Sequence, residues 1–285
     1  MLASAIIFGT TGTAQALGPD SATPLGIGAM RILVGAAGLI GLALLTGARR
    51  IEWRTNRAAI IVAGLGVAGY QIGFFQGTER AGVALGTLVA LGSGPVFAGL
   101  FDALRYRRWP SSRWLGATLL AGGGAALVAF ARDDTAGSSV VTGVIAALVA
   151  GLSYAVFSIA SKQVMARGAD STSVMAAVFT AGAVLLAPLL WIEPMGWLSS
   201  GRGVAVALHL GLIATTAAYS LFGYGLDRLS VPTVVTLTLA EPATAAVLSV
   251  VVLSEELAPI GWLGVGLVMA GVAIIATGGS DPMAE

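Results

Sequence analysis

Few side chains in this 285-residue sequence are equipped for chemistry, and those few stand inside long apolar runs. Glu241 lies near the middle of the run 230–253, directly before Pro242. An uncompensated carboxylate at the centre of a bilayer costs about 2.5 to 3.5 kcal/mol, so it must be neutral, paired or hydrated there. Glu241 reads as a ligand for an ammonium group or as a proton carrier; the competing reading is a helix-break residue bonded to nearby backbone or hydroxyls. Arg31 stands well inside the run 24–46. Its planar guanidinium suits a carboxylate, or its long side chain snorkels toward the surface. His209, the single histidine, either handles protons near neutrality or is a hydrogen-bonded interior residue. One histidine and no cysteine exclude disulfides, thiolate sites and two-histidine zinc sites. The sequence also has no paired intramembrane aspartates, no serine with a nearby base and no nucleotide-binding motif. It is therefore expected not to be an enzyme and to use neither a metal nor a cofactor.

Around these charges the polar and aromatic residues recur at helical spacing. The stretch 69–77 carries Tyr70 and Phe74 on one stripe, Gln71 and Phe75 on the next, and Gly69, Gly73 and Gly77 on a third. The glycine stripe is a groove for a neighbouring helix. Other runs offer Phe8, Thr11 and Gln15, then Ser153, Tyr154, Phe157 and Ser158, then Thr215, Tyr219 and Phe222. Any one of these residues is explained by ordinary helix packing. As a set they suggest a cavity in which rings bury apolar surface and a few polar groups fix orientation. The candidate substrate-binding residues are Phe8, Gln15, Tyr70, Gln71, Phe74, Ser93, Tyr154, Phe157, Tyr219 and Glu241, with Glu241, His209 and Arg31 as candidates for proton or charge handling.

The elements that must hold them are membrane spans. The chain is 56% hydrophobic and 10% charged, against roughly 25% charged residues in a soluble domain. Its 40 glycines suit close helix packing in lipid. Ten apolar runs fall at roughly 2–17, 24–46, 58–77, 81–101, 114–131, 140–163, 172–191, 203–226, 230–253 and 260–278, long enough for helices and too long for the strands of a barrel. Ala14-Gln15-Ala16 faintly resembles a signal-peptidase site, but no basic leader precedes it, so residues 2–17 are read as a first span. Arg49, Arg50, Arg54, Arg57, Arg105, Arg107, Arg108, Arg113, Lys162, Arg167 and Arg228 fall on one side, against Arg80, Arg132 and Arg202 on the other. This asymmetry puts both termini in the cytoplasm. All six tryptophans fall at span ends or in short loops and read as interfacial anchors. The net charge of +1 carries no sign of nucleic-acid binding.

The chain also repeats itself. Trp114-Leu115-Gly116, with Leu119, Gly123 and Ala125, recurs 148 residues later as Trp262-Leu263-Gly264, Leu267, Gly271 and Ala273. Gly94-Pro95 in the fourth run and Glu241-Pro242 in the ninth are expected helix breaks, because proline removes a donor and disturbs the preceding turn. Lipid tolerates such breaks only where protein or a water-filled cavity satisfies the freed groups. The expected organisation is a five-helix repeat at 1–132, an external linker at 133–138, a second repeat at 139–278 and a cytoplasmic tail at 279–285. Five is odd, so the second repeat is inverted, as in many secondary transporters. The fold class is an all-α integral membrane protein of ten helices.

Five plus five spans, breaks in the fourth and ninth, and Trp-Leu-Gly openings in the fifth and tenth together resemble the drug/metabolite transporter superfamily, EamA type. Arg31 and Lys162 sit where that family often places basic residues. The resemblance implies a multi-pass carrier of the bacterial inner membrane that binds a small molecule in a cavity between its halves, commonly an exporter, working as a monomer or homodimer. The aromatic-rich interior looks most like the aromatic amino-acid exporters of YddG type. The expected activity is export of aromatic or apolar amino acids by alternating access around a midplane site. The alternative is exchange of phosphorylated sugars or nucleotide sugars, which would want several cavity cations where only Arg31 and Lys162 are placed to serve.

Overall fold

The computed structural model describes residues 1–48, 51–107, 109–131 and 139–277. The expectations resting on Arg49, Arg50, Arg108, Arg132, the linker 133–138 and the tail 279–285 lie outside the described residues. The described chain is helical throughout: α1 (Leu2–Ala16), α2 (Pro24–Leu45), α3 (Trp53–Ala81), α4 (Val83–Tyr106), α5 (Ser112–Phe130), α6 (Val140–Ala166), α7 (Ser171–Leu186), α8 (Gly201–Arg228), α9 (Val231–Leu253) and α10 (Pro259–Ala276). Nine helices among the described residues are long and apolar enough to cross a membrane. The remaining one, α1, has 15 residues and is seated against α8 and α9 within the bundle. Hydroxyl and carboxylate caps start many of the helices. Thr23, Ser111, Asp170, Ser200 and Ser230 each accept a backbone N–H three residues on, and Pro24, Pro232 and Pro259 occupy first turns where a missing donor costs nothing.

The packing has an internal twofold pattern. Adding five to each helix number turns α3 on α6 into α8 on α1, α4 on α6 into α9 on α1, α3 on α7 into α8 on α2, and α4 on α5 into α9 on α10. The pairs α2–α7, α4–α9 and α5–α10 map onto themselves. Because an odd number of spans separates the partners, the two halves are inverted.

Glycine sets the helix spacing. A Cβ on Gly73 would lie 2.7 Å from the Ala146 carbonyl of α6, so the glycine stripe of α3 does accept a neighbouring helix. Gly124 of α5 and Gly264 of α10 approach each other reciprocally, and a Cβ on either would sit 2.5 Å from the other's carbonyl oxygen. Gly124→Leu should therefore lower stability by about 1 to 3 kcal/mol through overpacking, read as a drop in thermal midpoint in detergent. Gly123→Leu, where a Cβ meets nothing within 4 Å, should leave the midpoint unchanged.

Two expectations are corrected here. Helix α4 runs on through Pro95, which is buried within it; the interruption is confined to α9, where Val231–Leu237 gives way to Ala240–Leu253. Pro242 cannot donate to the Thr238 carbonyl, and the Glu241 N–H takes that carbonyl instead at 2.9 Å, tightening the turn. The tryptophans also divide. Trp53, Trp109, Trp191 and Trp262 are exposed, but Trp114 and Trp197 are 3% and 2% exposed, buried by protein rather than anchored at an interface. Trp114 lies over Gly99 of α4, where the missing side chain makes room for its indole.

Candidate functional site

The break in α9 opens onto a cavity of about 290 Å³ between the halves. It extends to the end of the bundle where α1 and α3 finish and α2 and α4 begin, as Gln15, Pro24, Thr78 and Val83 on its wall show. Glu241 sits in the first turn of the second α9 segment, half-buried and facing this space. A helix N-terminus carries partial positive charge, which favours an anion there. Thr238, one turn earlier, lines the same wall; its hydroxyl donates to the Val235 carbonyl at 2.7 Å and accepts from the Tyr154 hydroxyl at 3.3 Å. The loose backbone of the turn is thereby held by side chains.

Arg31 enters the same cavity from α2 and is 8% exposed. It does not snorkel. Its Nε is buried without a hydrogen-bond partner, and no ion pair joins it to Glu241 among the described residues. A buried cation and a carboxylate thus face one space without a direct ion pair among the described residues, a costly arrangement for a site built only for stability. Rings line the same cavity. Phe8 and Tyr219 meet at 4.8 Å, Tyr70 stacks on Phe74 at 5.6 Å, and Tyr70 meets Tyr154 at 5.7 Å. The buried Gln71 donates from Nε2 to the Gly28 carbonyl at 3.1 Å, tying α3 to α2.

The cavity therefore gathers Phe8, Gln15, Arg31, Tyr70, Gln71, Phe74, Tyr154, Tyr219, Glu241 and Pro242. Other candidates lie elsewhere. Ser93 faces α6, where its Oγ fills the space a Cβ on Gly151 would need. Gly94 gives room to the Tyr154 ring, 3.3 Å from where a Cβ would stand, so it shapes the wall without lining the cavity, and Pro95 does not line it either. His209 is bonded to Thr10 Oγ1 at 2.9 Å, joining α8 to α1. Phe157 is 2% exposed, wedged among Phe179, Tyr219 and Phe222 behind the cavity. Lys162 gives its ammonium to the Leu226 and Asp227 carbonyls at 2.7 and 2.8 Å, closing the end of α8. Thr238, Thr78 and Thr87 are lining residues that the reading of single stripes passed over; Thr238 was recoverable as the residue one turn before Glu241.

The model of the EamA-like transporter family matches residues 1–130 and again 141–277. The chain belongs to this family. Among relatives of this EamA chain, the transporter YwfM of Bacillus subtilis is 38% identical over 277 residues, covering 96% of this chain and 92% of its own. The threonine/homoserine exporter RhtA of Escherichia coli is 28% identical, covering 95% and 87%. A probable terminal-alkyne amino-acid exporter of Streptantibioticus cattleyicolor is 26% identical, covering 91% and 86%. A solved crystal structure superposes with a TM-score of 0.81 at 24% identity, covering 96% of this chain and 94% of its own, and shares the fold. The protein is accordingly an EamA-type secondary transporter: a multi-pass membrane protein that carries a small molecule, with bacterial relatives and no enzymatic role.

Proposed function

We propose that this EamA transporter exports a zwitterionic amino acid with an aromatic or apolar side chain. The observation that carries the reading is that Arg31 and Glu241 line one ring-lined cavity with no ion pair between them among the described residues. Arg31 takes the substrate carboxylate, Glu241 takes the ammonium, and Phe8, Tyr70, Phe74, Tyr154 and Tyr219 enclose the side chain. The volume of about 290 Å³ sits at the small end of the roughly 300 to 1,000 Å³ typical of ligand pockets. That suits one amino acid and leaves no room for a nucleotide sugar. With Lys162 committed to the end of α8, Arg31 alone is a poor match for a phosphate dianion, which argues against the exchanger reading. Amino acids are also what the named relatives RhtA and the alkyne amino-acid carrier export.

On the positive-inside rule the termini are cytoplasmic in a bacterial plasma membrane and the cavity opens outward. The aromatic block of Phe157, Phe179, Tyr219 and Phe222 closes the inner side. Transport proceeds as the halves 1–132 and 139–278 rock about the cavity until that block parts. The α5–α10 glycine contact is satisfied within one chain, which supports a monomer as the working unit. A second reading, export of a small hydroxylated amino acid, is favoured by the hydroxyls of Thr11, Thr78, Thr87 and Thr238 on the wall and by the likeness to RhtA.

Counterflow in proteoliposomes decides among these. Purified protein is loaded with unlabelled solute and offered labelled phenylalanine, threonine or a hexose phosphate. Phenylalanine exchange supports the first reading, threonine exchange without phenylalanine the second, and hexose phosphate exchange alone refutes both.

A further inference from the structure

A second large concavity lies away from the substrate cavity. It is an apolar crevice of about 710 Å³ bounded by Ala43 and Leu44 of α2 and Ile60 and Ile61 of α3, with Ala177 and Thr180 of α7 on its floor. Its origin is in the packing: α2 and α3 each lie along α7 but scarcely touch each other, and the small side chains of α7 leave a slot between them. Trp53 lines one end of it, and the exposed Arg54 and Arg57 stand in the same first turns of α3, Arg57 one turn after Trp53 and one turn before Ile61.

The internal symmetry supplies a control within the same molecule. Exchanging α2 with α7 and α3 with α8 carries the crevice to the place where the first part of α8 lies against the start of α2. There the residues between α7 and α8 pack inward. Trp197, 2% exposed, packs with Ile27 of α2 and with Val206, Ala207 and Leu210 of α8, and Met195 and Leu198 join the same cluster. The filler comes from the residues between α7 and α8, which include the helical turns Leu189–Ile192 and Gly196–Ser199. Of the shorter α2–α3 connection, the described Ala48 and Ile51 line the wall of the first crevice, which stays open on its lipid side.

We propose that the crevice between α2 and α3 is a specific site for one anionic glycerophospholipid. An acyl chain takes the place that Trp197 and its neighbours occupy in the other half, because the slot is apolar and open to hydrocarbon. The headgroup phosphate lies against Arg54 and Arg57 at the Trp53 end. Arg167, bonded to the Thr55 carbonyl and to Asn56 Oδ1 at 2.9 and 3.2 Å, adds a third cation at this end. Glu52 and Asp170 are the described acids at the same end, and Asp170 is engaged in capping α7. The balance favours an anionic headgroup over a zwitterionic one.

Native mass spectrometry tests this on the intact chain. Purified protein is washed in detergent and then titrated with phosphatidylglycerol or phosphatidylcholine. One phosphatidylglycerol should be retained per chain, bound at least about tenfold more tightly than phosphatidylcholine. Ala177→Phe and, from the opposite wall, Ala43→Phe should each reduce retention about tenfold or more, with transport and monodispersity kept. The Arg54→Gln, Arg57→Gln double variant should bind the two lipids equally. Wild-type protein that releases both lipids alike overturns the site without need of any variant. Well-folded crevice variants that still retain phosphatidylglycerol overturn it as well. A dimer that both crevice variants break, with lipid binding unchanged, would assign the slot to a second copy of the chain and overturn it too.

Discussion

Arg31→Met should raise the apparent Km for amino-acid exchange by roughly 30-fold or more, while expression in the membrane is retained. Removing one partner of a buried charge pair costs about 2 to 5 kcal/mol, and each 1.4 kcal/mol is tenfold in affinity. The loss should depend on the substrate in a way that folding damage does not. Phenethylamine, which has the ring and the ammonium but no carboxylate, should be handled no worse by Arg31→Met than by wild type. Arg31→Lys should fall between the two, because an ammonium keeps the charge and loses the two-pronged geometry. Equal loss for both substrates would remove Arg31 from carboxylate recognition and leave it a structural cation.

Glu241→Gln should produce the complementary defect. Exchange of the zwitterion should fall by roughly 10- to 100-fold, since a charged hydrogen bond worth about 1.5 to 3 kcal/mol becomes a neutral one. Phenylpropionate, with the carboxylate but no ammonium, should be accepted better than by wild type, because glutamine no longer leaves an unmatched negative charge facing it. The variant is nearly isosteric and the turn at Thr238–Leu239 is held by backbone and hydroxyl bonds, so folding should survive. Unchanged discrimination between phenylalanine and phenylpropionate would assign the carboxylate to the architecture of α9.

The sequence carried the helices and their pairing because both rest on composition and repetition. Uninterrupted apolar runs leave the backbone no choice but helix in lipid, and the duplicated Trp-Leu-Gly motif marked the corresponding helices α5 and α10. Part of the cavity was legible for the same reason: Tyr70 and Phe74, or Gln71 in the adjacent stripe, are set by helical spacing alone. What the spacing does not carry is rotation of one helix against the next. Phe157 and Tyr154 are three residues apart, yet one is sealed behind the wall and the other is part of it, a difference decided by Phe179 and Phe222 on other helices. Ser93 was turned away by Gly151, and Lys162 was captured by carbonyls of α8 far along the chain. Pro95 kept its helix whole where Pro242 did not. One difference between them lies in the neighbours: the residue before Pro242 is a carboxylate facing a cavity, whereas the residue before Pro95 is a glycine against Val235 and Tyr154.

The block of stacked rings behind the cavity has an electrical consequence. The crevice between it and the cavity is only about 10 Å³, room for a single water at most, and Tyr219 packs its ring against Phe157, Phe179 and Phe222 at centroid distances of 5.9, 4.2 and 5.7 Å. This layer of rings therefore has no room for a file of water molecules in this conformation. Since each charge crossing an energised membrane releases about 2.3 kcal/mol per 100 mV, that insulation lets a carrier idle in the plasma membrane without draining its voltage.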